Sequence, residues 1–249
     1  MPASSHPRRL GSHWRHRSLH PYRLVCNYSA PMRVSKDSAA TGRERAPTKR
    51  QPDRTRQKLL ASAFEEIHRN GFRAASLDAI LENSSVTKGA LYHHFGSKAE
   101  LGYAVVDEVV RPFVEARWRP AVESDDPVAA GVAVVRDMLI TRADMASTFG
   151  CPFNNLCQEM SPVDEGFRKR LNSILDDWRN ATIAGLRRGQ QKGTVRKDVD
   201  PKAAAAFIIA GVEGCIGMAK ASRSKEFLQS GMRGLIDYLE HLRPSCTTH

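Results

Sequence analysis

Apolar residues recur along this chain at the three-and-four spacing of amphipathic helices, and no run alternates apolar with polar as a strand would. Leu60, Ala63, Phe64 and Ile67 form one stripe of a helix that Asp53 can cap and that runs to Asn70, with Gly71 as its left-handed stop. Ser76 is the candidate cap of a short helix with Asp78 in its first turn and Leu77, Ile80 and Leu81 inward, ending near Asn83-Ser84-Ser85. Thr87 caps the next, in which Leu91 and Phe95 lie four apart on the inner face. Ser97-Lys98-Ala99-Glu100 is a capping box opening a longer helix that carries Leu101, Ala104, Val105, Glu108 and Val109. Further on, Asp126-Pro127, Ser161-Pro162 and Asp200-Pro201 each read as a cap followed by proline at the first helical position. Helices are expected near 127–142, 150–160, 162–191, 201–221 and 224–241, the first, third and fourth opened by these pairs. About nine helices result, an all-α layout.

Composition narrows the picture without changing it. The 249 residues, 41% hydrophobic and 26% charged, suit a globular chain able to bury a core. The net charge of +11 is concentrated at one end: Lys+Arg less Asp+Glu gives +8 over Met1 to Asp53 (11 minus 3), +2 over Arg54 to Tyr103 (7 minus 5) and +1 over the rest (20 minus 19). Cys26, Cys151, Cys157, Cys215 and Cys246 are odd in number, with no C-x-x-C pair and no metal-ligand spacing, which favours a reducing cytosol and a cytoplasmic protein. The longest uncharged apolar run, Ala203 to Val212, falls far short of the roughly 20 residues that span a bilayer, so no membrane anchor is expected.

Residues 1–50 are rich in Arg, His, Ser and Pro, lack an acid before Asp37 and show no apolar period, so a disordered basic extension is expected. Three readings stay open: an organelle transit peptide, a start codon placed too far upstream with Met32 or a later point as the true beginning, or a basic arm that lies along DNA.

The stretch Ser76 to Glu100 carries the most chemistry. On the helix capped by Thr87, Lys88 pairs with Tyr92 and Gly89 with His93 on the faces left outward. A helix entering the major groove N-terminus first needs small residues for close approach, here Gly89 and Ala90, and a cation that reaches phosphate or guanine edges, here Lys88. Tyr92 and His93 can donate to phosphates, which fixes register. The amides after Ser97, with Lys98, point where a further phosphate could sit. His93 and His94 are adjacent and diverge by about 100° on a helix, so no metal is expected.

Thr87-Lys88-Gly89-Ala90-Leu91-Tyr92-His93-His94-Phe95, followed by Ser97-Lys98 and Leu101, resembles the DNA-binding domain of TetR-family transcriptional repressors, most strongly over Arg54 to Tyr103. Two positions depart from that pattern: Leu81 stands where the family usually has Ala, and Ser85 where the turn usually has a Gly with positive φ. The resemblance implies a three-helix helix-turn-helix domain (51–100) and a helical effector-binding and dimerisation domain (101–243). It implies a homodimer on a palindromic operator in double-stranded DNA, with Ser76, Thr87, Lys88, Gly89, Ala90, Tyr92, His93 and Lys98 at the duplex, and no enzyme activity and no cofactor. It also implies dimerisation through the last two helices as a four-helix bundle, with Phe227, Leu235, Ile236 and Leu239 as the seam. Gly211, Gly214 and Gly217, three apart, suit close helix approach there or an intramolecular crossing equally.

Gly150-Cys151-Pro152-Phe153-Asn154-Asn155, Glu159, Phe167 and Ala219-Lys220-Ala221-Ser222-Arg223-Ser224 look like the branch of that family that senses electrophiles such as N-ethylmaleimide. In that branch the Cys after Gly is reactive and the Lys lies near it, positions that Cys151 and Lys220 match. Cys151 as a small buried hydrophobe is the competing reading. Trp118, Trp178, Phe149 and Phe153 either line an effector cavity or are plain core. The function expected is a repressor released by a small-molecule effector. The alternatives are covalent modification of Cys151, a non-specific architectural DNA protein, or a Cys-dependent enzyme, although no nucleophile elbow, phosphate loop or paired carboxylates appear.

Overall fold

The computed structural model describes residues 50–245, with side chains from Arg54 onward. The expected disordered extension falls outside the described residues apart from Arg50, as does Cys246. Among the described residues all regular structure is helical, and the nine expected helical bodies are present.

Helix α1 (Arg50–Asn70) buries Leu59, Leu60, Ala63, Phe64 and Ile67. It begins upstream of Asp53, which therefore lies inside the helix rather than capping it: Pro52 sits in the first turn, where its missing N–H breaks no bond. Gly71 ends it at φ +83, the left-handed conformation that requires glycine, and a Cβ there would also press on the Glu159 carboxylate at 2.9 Å. Helix α2 (Leu77–Ser84) is capped by the Ser76 hydroxyl, which accepts from the Ala79 amide at 3.3 Å; of its expected inward residues Ile80 is buried and Leu77 and Leu81 are half-buried. In the turn to α3 (Lys88–His94), Ser85 adopts the left-handed region at φ 54, ψ 41, the conformation the departure from Gly put at issue. Thr87 caps α3, accepting from the Ala90 amide at 3.2 Å, and Leu91 and Phe95 close the three-helix core.

Ser97 caps α4 (Lys98–Val105), accepting from Glu100 N at 3.1 Å, but the returning Glu100 carboxylate takes the Gly96 amide at 2.8 Å rather than that of Ser97, so the box is displaced by one residue. The rod then runs through a π-helical turn (Val106–Val110) into α5 (Arg111–Glu123). Pro112 accounts for that turn: it offers no N–H to the Glu108 carbonyl, and the Arg111 amide reaches back five residues to Val106.

The body comprises α6 (Pro127–Thr141), a short α7 (Ala143–Phe149) that the hydropathy pattern did not mark, α8 (Pro152–Met160), α9 (Glu165–Lys192), α10 (Pro201–Ser222) and α11 (Lys225–His241). Asp126 and Asp200 cap as expected. Ser161 does not: it ends α8, and α9 starts at Glu165 under Asp164, whose carboxylate takes the Phe167 amide at 3.0 Å and the Tyr103 hydroxyl at 2.9 Å. Those two donors hold Asp164 below the usual carboxylate range, and a charged cap with a tertiary partner prevails over a serine. Helix α10 is long and apolar enough by composition to cross a membrane, but it buries Ala205, Ile208, Ile209, Val212, Ile216 and Ala219 against the chain's own α7, α9 and α11. Leu235 and Leu239, expected on a dimer seam, are likewise 4% exposed within this core. Of the other two expected there, Phe227 is exposed and Ile236 half-buried; Phe207 and Met218 are the further outward apolar residues of the last two helices, with Phe207 against Tyr238 at 4.5 Å.

Replacing Ser85 with glycine should stabilise the protein by about 1 kcal/mol, because glycine enters the left-handed region without the Cβ clash. Urea denaturation measures it; an unchanged or lower midpoint would show that Ser85 is unstrained.

Candidate nucleic-acid interface and adjoining cavity

The reading face stands clear of the protein. Lys88, Gly89 and His93 are exposed and Tyr92 is 44% exposed, while Ala90 is half-buried over the module's core. Ser76 and Thr87 are exposed and spend one lone pair on capping, which leaves each hydroxyl proton free to donate. Ser76 is held further by its own amide, which donates to Glu66 at 3.1 Å. Lys98 departs from expectation: its ammonium turns back onto the Arg73 carbonyl at 3.1 Å and lies 5.2 Å from the Phe72 ring centre, bracing the turn after α1 instead of projecting outward. The carbonyl and the aromatic face both lie within the reach of its side chain.

The module is joined to the body at several points. The Glu159 carboxylate on α8 accepts from the Phe72 and Arg73 amides, both at 2.8 Å. The Arg56 guanidinium pairs with Glu108 on the π turn. In the last turn of α1, His68 lies 3.0 Å from the Gly150 carbonyl through Nε2; because a carbonyl only accepts, Nε2 carries the proton. Burial, reinforced by the charges of Lys220 and Arg69, pulls the imidazole down to about 4, so it is neutral. Gly150, at φ +77, ends α7 and leaves no room for a Cβ beside Asn155 and the Lys220 side chain, both 2.8 Å away.

Around that joint the effector candidates separate. Cys151 is buried at the start of α8, and its thiol donates to a Glu213 carboxyl oxygen at 3.3 Å. Burial and the Glu213 charge push the thiol well up, outweighing the Asn154 and Phe153 amides that favour the thiolate. Lys220, expected to activate it, donates to Asn155 at 3.1 Å instead. The activated thiolate of an electrophile sensor is therefore not what this geometry provides. Cys157 is also pushed up, to about 12, by burial and Glu213. Asn154 donates to the Glu213 backbone carbonyl at 3.4 Å.

Two cavities meet here. A cleft of about 860 Å³ is lined by His68, Asn154, Asn155, Glu159, Glu213 and Lys220, between α1, α8 and α10. A smaller apolar pocket of about 50 Å³ is lined by Phe113, Trp118, Met138, Met145, Cys151 and Glu213. Trp118 thus faces a cavity, whereas Trp178 stacks on it at 5.1 Å and meets Phe153 edge-on at 6.4 Å as core. Sequence reasoning passed over His68 and Glu213, though Glu213 could have been found as the single charged residue between Lys202 and Lys220. Among the described residues no group of His, Cys, Asp and Glu is arranged to hold a metal ion.

A trio of small helices with an exposed, cation-led second element, carried on a larger helical body with an internal cavity, is the build of a helix-turn-helix regulator. Family models agree: "Bacterial regulatory proteins, tetR family" matches residues 59–105 and "Tetracyclin repressor-like, C-terminal domain" matches 132–235. The transcriptional regulator AcuR of Cereibacter sphaeroides is 31% identical over 183 residues, covering 71% of this chain and 81% of that protein. A crystal structure of a regulatory protein TetR from Rhodobacter sphaeroides, 28% identical, covers 74% of this chain and 98% of that one with a TM-score of 0.66. The chain belongs to the TetR family of transcriptional regulators, whose members are DNA-binding repressors rather than enzymes. Reduced E. coli NemR superposes with a TM-score of 0.67 over 78% of this chain and 99% of that one, but at 21% identity it shows the fold alone.

At pH 7, N-ethylmaleimide should label Cys151 at least about tenfold more slowly than the same residue in the unfolded chain, because little thiolate is present. Peptide mass spectrometry of timed samples checks this; equal rates would mean an activated thiol.

Proposed function

We propose that this protein is a homodimeric, ligand-responsive repressor acting in the cytoplasm, which binds a palindromic operator through α3 and is released when a small molecule occupies its body. The exposed set of Lys88, Gly89, Tyr92 and His93 on a helix whose other side is locked into the core carries this reading. Lys88 and the slim Gly89-Ala90 edge enter the groove, Tyr92 and His93 fix the register on phosphates, and Ser76 and Thr87 donate from the flanking helix starts. Lys98 supports the turn behind them.

Pairing through α10 and α11 is supported by their outward Phe207 and Phe227, and by Gly234, where an added Cβ would meet nothing in the chain itself. Release is supported by the Glu159 and His68 contacts, which bind the cavity's walls to the reading module. A ligand preferring one arrangement of α8 shifts the separation of two reading heads that must match one turn of DNA.

In electrophoretic shifts, the full chain should bind a palindrome selected from genomic fragments far more tightly than random duplex. Lys88→Ala and Tyr92→Ala should each cost about 1–3 kcal/mol of that affinity. Equal affinity for random duplex, or wild-type affinity in both variants, would end this reading.

A further inference from the structure

We propose that Glu213 is the anionic anchor of a site for a small organic cation, an ammonium-bearing molecule that enters through the cleft between α1, α8 and α10. Naming this molecule as the effector rests on the repressor reading; the site itself does not.

Glu213 is the single charged residue between Lys202 and Lys220. One oxygen of its buried carboxyl accepts from the Cys151 thiol at 3.3 Å, and the other, Oε2, has no hydrogen-bond partner among the described residues. A buried polar atom without a partner is costly, and its residue lines both the open cleft and the apolar pocket behind it. The other charges of the cleft are engaged. Lys220 donates to Asn155, Arg69 lies 5.4 Å from the Phe149 ring centre, and Glu159 holds two backbone amides. Each of these cations has a partner and Glu159 has its donors, so the unmet demand is for positive charge at Glu213. Behind it, Trp118, Met138 and Met145 offer an apolar, adaptable wall for a short hydrocarbon body.

Burial pushes Glu213 up to about 7, against the lowering effect of the Cys151 contact. A bound ammonium favours the ionised carboxyl, so binding draws off a proton below that value and tightens as pH rises through it. The titratable groups facing Glu213 are His68 on α1 and Cys151 and Cys157 at α8; His68 is pulled to about 4 and both thiols are pushed up, outside the window of interest. The charged groups that line its two cavities are Arg69, Arg117, Arg142, Glu159 and Lys220.

The test uses the full chain and matched probes: benzylamine, phenethylamine and butylamine, each beside the carboxylate and alcohol with the same hydrocarbon, read by calorimetric titration and by melting temperature. The amines should bind and raise the melting temperature while their partners do not, with affinity about tenfold higher at pH 8 than at pH 6. Glu213→Gln, which keeps an acceptor for the Cys151 thiol, should lose at least about tenfold in amine affinity. Absence of amine binding, stronger binding of the carboxylates, a flat pH profile, or undiminished binding by Glu213→Gln would overturn the site; should that variant not fold, the pH profile of the parent decides. Operator preference is measured on the ligand-free chain in parallel, so a failed amine titration with intact preference sinks the site alone, and lost preference with intact amine binding sinks the repressor reading alone.

Discussion

The carboxylate of Glu159 between the amides of Phe72 and Arg73 is the constraint on which the rest of the arrangement depends. Those two N–H groups open the turn that follows α1, where no helical carbonyl is available to them. Hydrogen bonds to an ionised acceptor contribute roughly 1.5–3 kcal/mol each, about twice a neutral pair. A side chain from the body thereby completes the secondary structure of the reading module. Gly71 makes room for it, Lys98 secures the same turn from the other side, and the Phe72 ring packs edge-on against Phe167 of α9 at 4.6 Å. Movement of α8 cannot leave this turn unchanged.

Two ionisable groups are buried at the same joint. The depressed pKa of His68 removes stability as pH falls from 6.5 towards about 4, since the unfolded imidazole takes up a proton that the folded one refuses. Glu213 acts in the opposite sense: its raised pKa removes stability as pH rises from 4.5 towards about 7, where the unfolded carboxyl ionises first. Between 4.5 and 6.5 the two slopes oppose one another, so the joint tolerates both groups there with little net pH dependence. Neither improves the core as packing; each is placed where the module, α8 and α10 meet.

The helices were legible because their apolar periodicity and caps are local. Ser76, Thr87, Ser97, Asp126 and Asp200 all cap where the chain placed them, and the outward set on α3 follows from the inward Leu91 and Phe95. What was misread depends on partners distant in sequence. Ser161-Pro162 looked like a start until Tyr103 made Asp164 the better cap, and Lys98 looked free until Arg73 and Phe72 came beside it. Leu235 and Leu239 read as a seam because one helix alone does not show which of its sides meets the chain's own α6 and α7. Cys151 and Lys220 share a neighbourhood, as their resemblance implied, yet Glu213 and Asn155 take the contacts that would have joined them. A thiol's chemistry is set by its surroundings, which no local spacing discloses.

Native-state hydrogen exchange at the Phe72 and Arg73 amides tests the joint most directly. If Glu159 holds the module to the body, both amides exchange as slowly as those of Leu59 and Ile67 within α1, and Glu159→Ala releases these two while the interior of α1 stays protected. Exchange of both at the rate of an open loop in the parent chain would contradict the account.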